Sequence, residues 1–135
     1  IVTNQSGVAR GYLTEADLAI LHAYLEERLA AESAGVDAIY YCPHHPNAPL
    51  PAYRLACPCR KPAPGMLLAA ARDLDLDLKQ CWMMGDQPRD LAAGQAGGCR
   101  TVLIPTARSQ PGRVQPEPYA QGRSLKEAAA VVLGH

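Results

Sequence analysis

The chain has 135 residues, enough for one domain with its own core, and 13 basic residues balance 13 acidic ones. Zero formal net charge argues against broad attraction to nucleic acid or an anionic membrane, and no apolar run approaches the roughly 18 residues of a transmembrane helix. Five cysteines without a recognisable secretory signal favour a reduced compartment over a disulfide framework, so we expect a cytoplasmic protein with neither nucleic-acid nor membrane partners.

The first half of the chain contains short strands on either side of one long helix. Residues 1–2 are interpreted as the end of a buried strand, and residues 3–7 form a polar turn. Thr14 and Asp17 resemble a capping box that opens a helix over residues 15–33, with Gly35 as its stop. Leucines recur at helical spacing and predict one buried face on this helix: Leu18, Leu21, Leu25 and Leu29.

The alternation of strands and helices continues to the end of the chain. Residues 105–123 are rich in Pro, Gly, Gln and Arg, and we expect a surface loop there. Alternating strands and helices predict an α/β fold with a mainly parallel sheet. The remaining predicted strands cover residues 38–41, 81–84 and 101–104. Three further helices are predicted: one that starts at Pro64, one over residues 88–96, and one that Ser124 caps and that runs to about Leu133.

One loop contains three of the five cysteines. It reads Cys42-x-His44, then twelve further residues, then Cys57-x-Cys59. Thiolate and imidazole are the ligands that zinc prefers, and four of them close a tetrahedral structural site. The alternatives are a loop disulfide, which would leave one cysteine and both histidines unexplained, or free surface thiols. We predict structural zinc and prefer His44 to His45, because its spacing mirrors that of the second pair.

Three other segments have the composition of a phosphate site. The polar turn at residues 3–7 offers a hydroxyl and backbone N–H groups, although such turns are common. Arg60 and Lys61 directly follow the last cysteine of the loop, where solvated surface charges are the alternative. Asp86 follows a predicted strand, at the sheet edge where a carboxylate suits Mg²⁺. The alternative role for Asp86 is a helix N-cap, and the alternative for Asp90 is a carboxylate on a helix face.

Together the motifs TNQSG-x-ARG, CxH…CxCRKP and GDxxxD resemble those of the haloacid-dehalogenase-like phosphatases. The resemblance extends to about residue 104 and is closest to the zinc-loop branch that contains the D-glycero-D-manno-heptose 1,7-bisphosphate 7-phosphatases. Histidinol-phosphate phosphatases are the alternative within this branch. They share the zinc loop, but they usually carry Asp where this chain has Ser6 and lack its Ala9-Arg10-Gly11.

The resemblance implies a fold and a reaction. The fold is a Rossmann-like three-layer sandwich, a single domain over residues 1–135 with a zinc-bearing loop at residues 42–59. The reaction is Mg²⁺-dependent phosphomonoester hydrolysis, in which an aspartate attacks phosphorus and water releases the resulting aspartyl-phosphate. The implied substrate is a sugar bisphosphate that loses its 7-phosphate during lipopolysaccharide core precursor synthesis, and the complete enzyme is expected to be a monomer.

The family's functional residues map onto matching positions of this chain. Thr3 and Lys61 would stabilise the transferring phosphoryl group, Arg60 would recognise the substrate, and Asp86 would bind Mg²⁺. The substrate-contacting set would be Thr3, Asn4, Gln5, Ser6, Arg60 and Lys61. The zinc ligands would be Cys42, His44, Cys57 and Cys59.

The chain departs from the family pattern at the nucleophile. The motif D-x-D-G-T, which carries the attacking aspartate, occurs nowhere in the 135 residues. We expect this segment upstream of Ile1, and hence a chain that is the carboxyl-terminal portion of a longer enzyme, inactive and marginally folded alone. The alternative from another functional class is a non-catalytic zinc-bearing module that binds a phosphorylated ligand, or a subunit that a partner completes.

Overall fold

The structure, a computed structural model, describes residues 1–107 and 115–134. Strands alternate with helices, and every strand pairing is parallel, which confirms the predicted α/β class. The chain divides into two compact units, Ile1–Arg60 and Lys61–His135. Among the described helices, none combines the length and apolar character needed to cross a membrane.

The first unit contains a two-stranded parallel sheet. Strand β1 (Val2–Asn4) pairs with β2 (Tyr40–Cys42), with Thr3 opposite Tyr41. Between the strands, the chain forms a short helix α1 (Ser6–Ala9) and the long helix α2 (Glu15–Ala31). A parallel pair needs such a crossover because its strands run in the same direction.

Helix α2 begins as predicted and ends earlier than predicted. The Thr14 hydroxyl accepts a hydrogen bond from the Asp17 N–H at 3.1 Å, and the Thr14 N–H donates to the Asp17 carboxylate at 2.8 Å. This reciprocal pair is the expected capping box, with Asp in place of Glu. The helix stops at Ala31, and Ser33 adopts a left-handed φ of 55°, two residues before the predicted stop at Gly35.

The prediction of a buried leucine face on α2 is wrong. Leu18 is fully buried, but Leu21 is 53 % exposed and Leu25 is 38 % exposed. Helical spacing identifies side chains that share a face; it does not tell whether another element covers that face. Ile20 and Tyr24 are also exposed, so much of the apolar surface of this helix lies open.

The second unit contains a three-stranded parallel sheet in the order β3-β4-β5. Its strands are β3 (Trp82–Gly85), β4 (Arg100–Leu103) and β5 (Ala120–Gln121), and its helices are α3 (Gly65–Leu74), α4 (Pro88–Gly97) and α5 (Leu125–Leu133). The core of this unit is built by apolar side chains from strands and helices, which lose most of their contact with water on folding. They include Met66, Ala70, Leu91, Val102, Leu103 and Ala128.

The loop predicted over residues 105–123 is partly wrong. Residues 108–114 lie outside the described part of the chain, but Ala120 and Gln121 form β5 and pair with β4. A strand of two residues is too short to show an alternating pattern, so the sequence could not reveal it. The helix that follows is confirmed, because the Ser124 hydroxyl accepts the Glu127 N–H at 3.2 Å and caps α5.

Leu18 and Leu21 offer a matched test of which side of α2 is packed. Because Leu18 is fully buried and Leu21 is 53 % exposed, Leu18→Ala should lower the free energy of unfolding by about 2–4 kcal/mol, whereas Leu21→Ala should change it by less than about 1 kcal/mol. Urea unfolding followed by circular dichroism measures both changes. Equal losses for the two variants would contradict this difference in burial.

Candidate functional site

The residues singled out from the sequence fall into two groups, one in each unit. The first unit contains the polar turn, Arg60 and the four residues predicted to bind zinc, and the second contains Lys61, Asp86 and Asp90. The two groups differ in chemistry, since the first is rich in thiols and the second combines two carboxylates with an ammonium group.

The structure brings the four predicted zinc ligands together. One ligand atom from each of Cys42, His44, Cys57 and Cys59 lies within 4.8 Å of all the others, and Cys42 Sγ is 3.8 Å from His44 Nδ1. Tetrahedral zinc, with bonds of about 2.3 Å to sulfur and about 2.0 Å to nitrogen, needs ligand separations of roughly 3.5–3.8 Å, so the donor set fits this metal. His45 lies outside the cluster, and its Nδ1 accepts the Asn47 N–H at 3.1 Å.

The surroundings of the three thiols set the negative charge that a bound cation would have to balance. Burial, followed by hydrogen bonds to neighbouring thiols, raises the pKa of Cys59 well above the usual range. Burial likewise raises the pKa of Cys42, whereas at Cys57 the effect of burial is outweighed by hydrogen bonds from Cys59 and the pKa is lowered. Three adjacent thiols cannot ionise together without compensation, and a divalent metal supplies that positive charge.

Arginine side chains hold the backbone of this loop. Arg54 donates from Nε to the Ala48 carbonyl at 2.6 Å and from Nη2 to the Pro49 carbonyl at 2.9 Å. Arg60 Nη1 lies 3.3 Å from the carbonyl oxygen of His44, a weaker contact that still ties the end of the loop to its beginning. Arg60 is half-buried, so it is not simply a solvated surface charge.

The polar turn predicted at residues 3–7 is in fact the end of β1, Gln5 and the start of α1, and it is connected to the same loop. The Gln5 N–H donates to the Cys42 carbonyl at 2.8 Å, which fixes the turn directly beside the first cysteine of the cluster. The Gln5 side chain donates from Nε2 to Thr3 Oγ1 at 3.2 Å. Residues 3–6 are all partly exposed, so their polar groups can be reached by a ligand.

A buried ion pair organises the candidate residues of the second unit. Lys61 Nζ lies 2.8 Å from Asp90 Oδ1, and the two side chains are only 11 % and 7 % exposed. Asp90 Oδ2 also accepts the Gln87 N–H at 3.0 Å. Asp90 does lie on a helix, as its alternative interpretation has it, but its carboxylate is buried and holds the Lys61 ammonium in place.

Asp86 lies where the sequence predicted, directly after β3. Its Oδ2 accepts weak hydrogen bonds at 3.3 Å from Gln87 Nε2 and from Thr106 Oγ1. The N-cap of α4 is Gln87, so the alternative interpretation of Asp86 as a helix cap is wrong. A β-carbon at Gly85 would overlap the Asp90 side chain, which explains why glycine precedes Asp86 here.

Sequence reasoning missed Thr106 and the pairing of Lys61 with Asp90. Thr106 follows β4, so its position after a neighbouring parallel strand was a usable signal. The pairing spans 29 residues (90 − 61), and no local pattern indicates it.

Comparison with known proteins decides the family. The family model described as HAD-hydrolase-like matches residues 58–128, more than half of the chain. The chain belongs to the HAD-hydrolase-like family. Both the buried Lys61–Asp90 pair and Asp86 lie inside the matched segment of this HAD-hydrolase-like protein.

Individual relatives are more specific. The chain is 43 % identical, over 109 residues, to the D-glycero-beta-D-manno-heptose-1,7-bisphosphate 7-phosphatase of Salmonella typhi, and 44 % identical to that of Escherichia coli K12. These alignments include 80 % of the chain but only 58 % and 57 % of the relatives, so the chain spans less than two thirds of their length.

One solved structure is similar over almost the whole chain. It is a D,D-heptose 1,7-bisphosphate phosphatase from B. bronchiseptica, complexed with magnesium and phosphate. It shows 35 % sequence identity and a TM-score of 0.84, and the match covers 98 % of this chain and 72 % of that protein. The similarity agrees with the α/β fold described above.

The buried ion pair can be tested against an exposed one. Asp90→Asn should lower the free energy of unfolding by about 3 kcal/mol, because it leaves the Lys61 ammonium buried without its counter-charge. Asp73→Asn is the matched control. It breaks an Arg72–Asp73 pair of the same 2.8 Å length whose side chains are 75 % and 42 % exposed, and should cost less than about 1 kcal/mol. Urea unfolding measures both changes. Equal losses of unfolding free energy in the two variants would contradict the structural importance of the buried pair.

Proposed function

We propose that the protein carrying this chain removes the 7-phosphate of D-glycero-D-manno-heptose 1,7-bisphosphate in a Mg²⁺-dependent reaction. The observation that carries the proposal is the 43 % identity, over 109 residues, to a relative that bears this activity in its name. The solved relative with magnesium and phosphate supports the same reaction class.

In the first unit, the polar turn and Arg60 are proposed to contact the substrate. Thr3 offers a hydroxyl to the transferring phosphoryl group, and Asn4, Gln5 and Ser6 offer further polar groups. Support comes from the hydrogen bond between Gln5 N–H and the Cys42 carbonyl, which restricts the turn before any substrate arrives. A turn that is already ordered loses less entropy on binding.

In the second unit, Lys61 is proposed to neutralise phosphoryl oxygens and Asp86 to hold Mg²⁺. Magnesium is usually bound through one or two carboxylates together with phosphate oxygens, and when bound it would offset the charge of the phosphoryl group. The Asp90 carboxylate holds the Lys61 ammonium in one orientation, which suits a group that must meet an anion.

The cysteine cluster is proposed to bind zinc with a structural role. Four protein ligands leave no open coordination position, so this metal would shape the loop rather than activate water. The loop then sets the backbone positions of Arg60 and of the neighbouring polar turn.

The attacking aspartate is proposed to come from residues outside this 135-residue chain, since no D-x-D-G-T segment occurs within it. Several further expectations stay predictions. They are a role in lipopolysaccharide core precursor synthesis, a cytoplasmic location, a single-domain organisation over residues 1–135, a monomeric state and the lack of nucleic-acid or membrane partners.

Phosphate release tests this function. The full gene product should release one phosphate from D-glycero-D-manno-heptose 1,7-bisphosphate with Mg²⁺ and none with EDTA. Lys61→Ala should lower kcat roughly 100-fold or more, as the loss of a preorganised charge at a developing anion does. Lys79→Ala, at an exposed lysine, is the control and should retain full activity.

Two further samples make the test decisive. The 135-residue chain alone should release no phosphate, because it lacks the nucleophile. Faster hydrolysis of histidinol phosphate than of the heptose bisphosphate would favour the alternative within the same branch. Tight binding of the bisphosphate by the full gene product without any hydrolysis would favour a non-catalytic module.

A further inference from the structure

Glu15 joins helix α2 to the cysteine loop. It is the first residue of this helix, and the capping box of Thr14 and Asp17 fixes the helical turn on which it stands. Its two carboxylate oxygens accept hydrogen bonds from two tyrosines: Oε1 from the Tyr41 hydroxyl and Oε2 from the Tyr53 hydroxyl, each at 2.8 Å. None of the family motifs named above contains Glu15 or either tyrosine.

Tyr41 connects Glu15 to the first pair of cluster residues. It is the middle residue of β2 and directly precedes Cys42. Its ring also packs against the ring of His22 on helix α2, with the centroids 5.7 Å apart. The backbone that presents Cys42 is therefore anchored to α2 through one side chain.

Tyr53 connects Glu15 to the other side of the loop, between the two ligand pairs. Its carbonyl oxygen accepts the His45 N–H at 3.1 Å, and its ring centroid is 6.2 Å from that of His44. The same residue therefore contacts the carboxylate, the backbone beside His44 and the imidazole ring of His44.

From this arrangement we propose that Glu15, Tyr41 and Tyr53 form a clamp that positions the cysteine loop for zinc binding. The inference rests on the zinc site proposed above. All three are positioning residues, since none supplies a ligand atom to the cluster. A clamp that holds the loop together in the metal-free chain reduces the conformational entropy that the loop loses when zinc binds. The clamp thereby raises zinc affinity.

The electrostatics of the clamp agree with its geometry. The hydrogen bond from Tyr41, and then that from Tyr53, lowers the pKa of Glu15. The tyrosine hydroxyls respond in the opposite sense, because the hydrogen bond to Glu15 raises the pKa of each. Glu15 is therefore a carboxylate at neutral pH, with both hydroxyls as donors, and hydrogen bonds to a charged acceptor are the stronger kind.

Zinc affinity is the direct test. The full gene product is stripped of metal under reducing conditions and titrated with zinc against a chromophoric chelator. Tyr53→Phe keeps the ring and removes only the hydroxyl, whereas Glu15→Gln removes the charge and replaces one of the two acceptor oxygens by an NH2 group. Each should weaken zinc binding about tenfold, the lower end of the effect of outer-shell partners of metal ligands. Tyr41→Phe, which acts on the other side of the loop, should do the same.

The controls lie on the same helix. Tyr24→Phe and Glu26→Gln change exposed side chains of α2 and should leave zinc affinity unchanged. The double variant of Glu15→Gln and Tyr53→Phe should lose less affinity than the product of the two single losses, because both changes act on the same hydrogen bond between Tyr53 and Glu15. Cobalt(II) substitution gives a second readout, since its visible absorption bands report whether the tetrahedral site still forms.

Three results would overturn the clamp. Zinc affinities of the Glu15 and Tyr53 variants equal to those of the controls would show that the hydroxyl–carboxylate bonds do not act on the site. Lower thermal stability of the metal-free variants with unchanged zinc affinity would show a purely structural role. A parent chain that binds no zinc would overturn the proposed site and the clamp with it, whereas loss of affinity in the variants alone supports both.

Discussion

The first unit depends on one constraint: three thiols and an imidazole occupy a space less than 5 Å across. Each ligand atom lies within 4.8 Å of the others, and burial disfavours the ionised thiols unless a cation is present. Local contacts converge on this point. Strand β2 ends at Cys42, the Gln5 N–H bonds to the carbonyl of that residue, and Arg60 reaches the carbonyl of His44. The polar turn and Arg60 are thus ordered around the cluster.

The second unit has a comparable constraint in the Lys61–Asp90 pair. Burying two charges costs solvation free energy that their attraction does not reliably return, so such a pair is weak evidence for stability. What it does provide is orientation: Asp90 Oδ1 lies at Lys61 Nζ, while its Oδ2 holds the Gln87 N–H at the start of α4. Gly85 leaves room for this carboxylate beside Asp86. A charge held in this way needs little rearrangement when it meets a phosphoryl anion, which is how preorganised sites lower a barrier.

The sequence predicted what local patterns encode and missed what depends on tertiary contacts. The α/β class, the capping box at Thr14 and the gathering of the cysteine loop follow from periodicity, capping chemistry and ligand spacing, and the structure reproduces them. Burial of Leu21 and Leu25 was predicted wrongly, because spacing cannot tell which elements cover a face. Strand β5 was too short to leave a pattern, and contacts across long sequence separations, such as those of Glu15, leave no local signal.

X-ray absorption at the zinc edge tests the central claim, a closed metal site built by this loop, most directly. The full gene product, purified under reducing conditions with about one zinc bound, should show three sulfur ligands at about 2.3 Å and one nitrogen ligand at about 2.0 Å. That result would establish Cys₃His coordination and a structural metal. A first shell containing water or carboxylate oxygens, or a chain that retains no zinc while its cysteines stay reduced, would contradict the account.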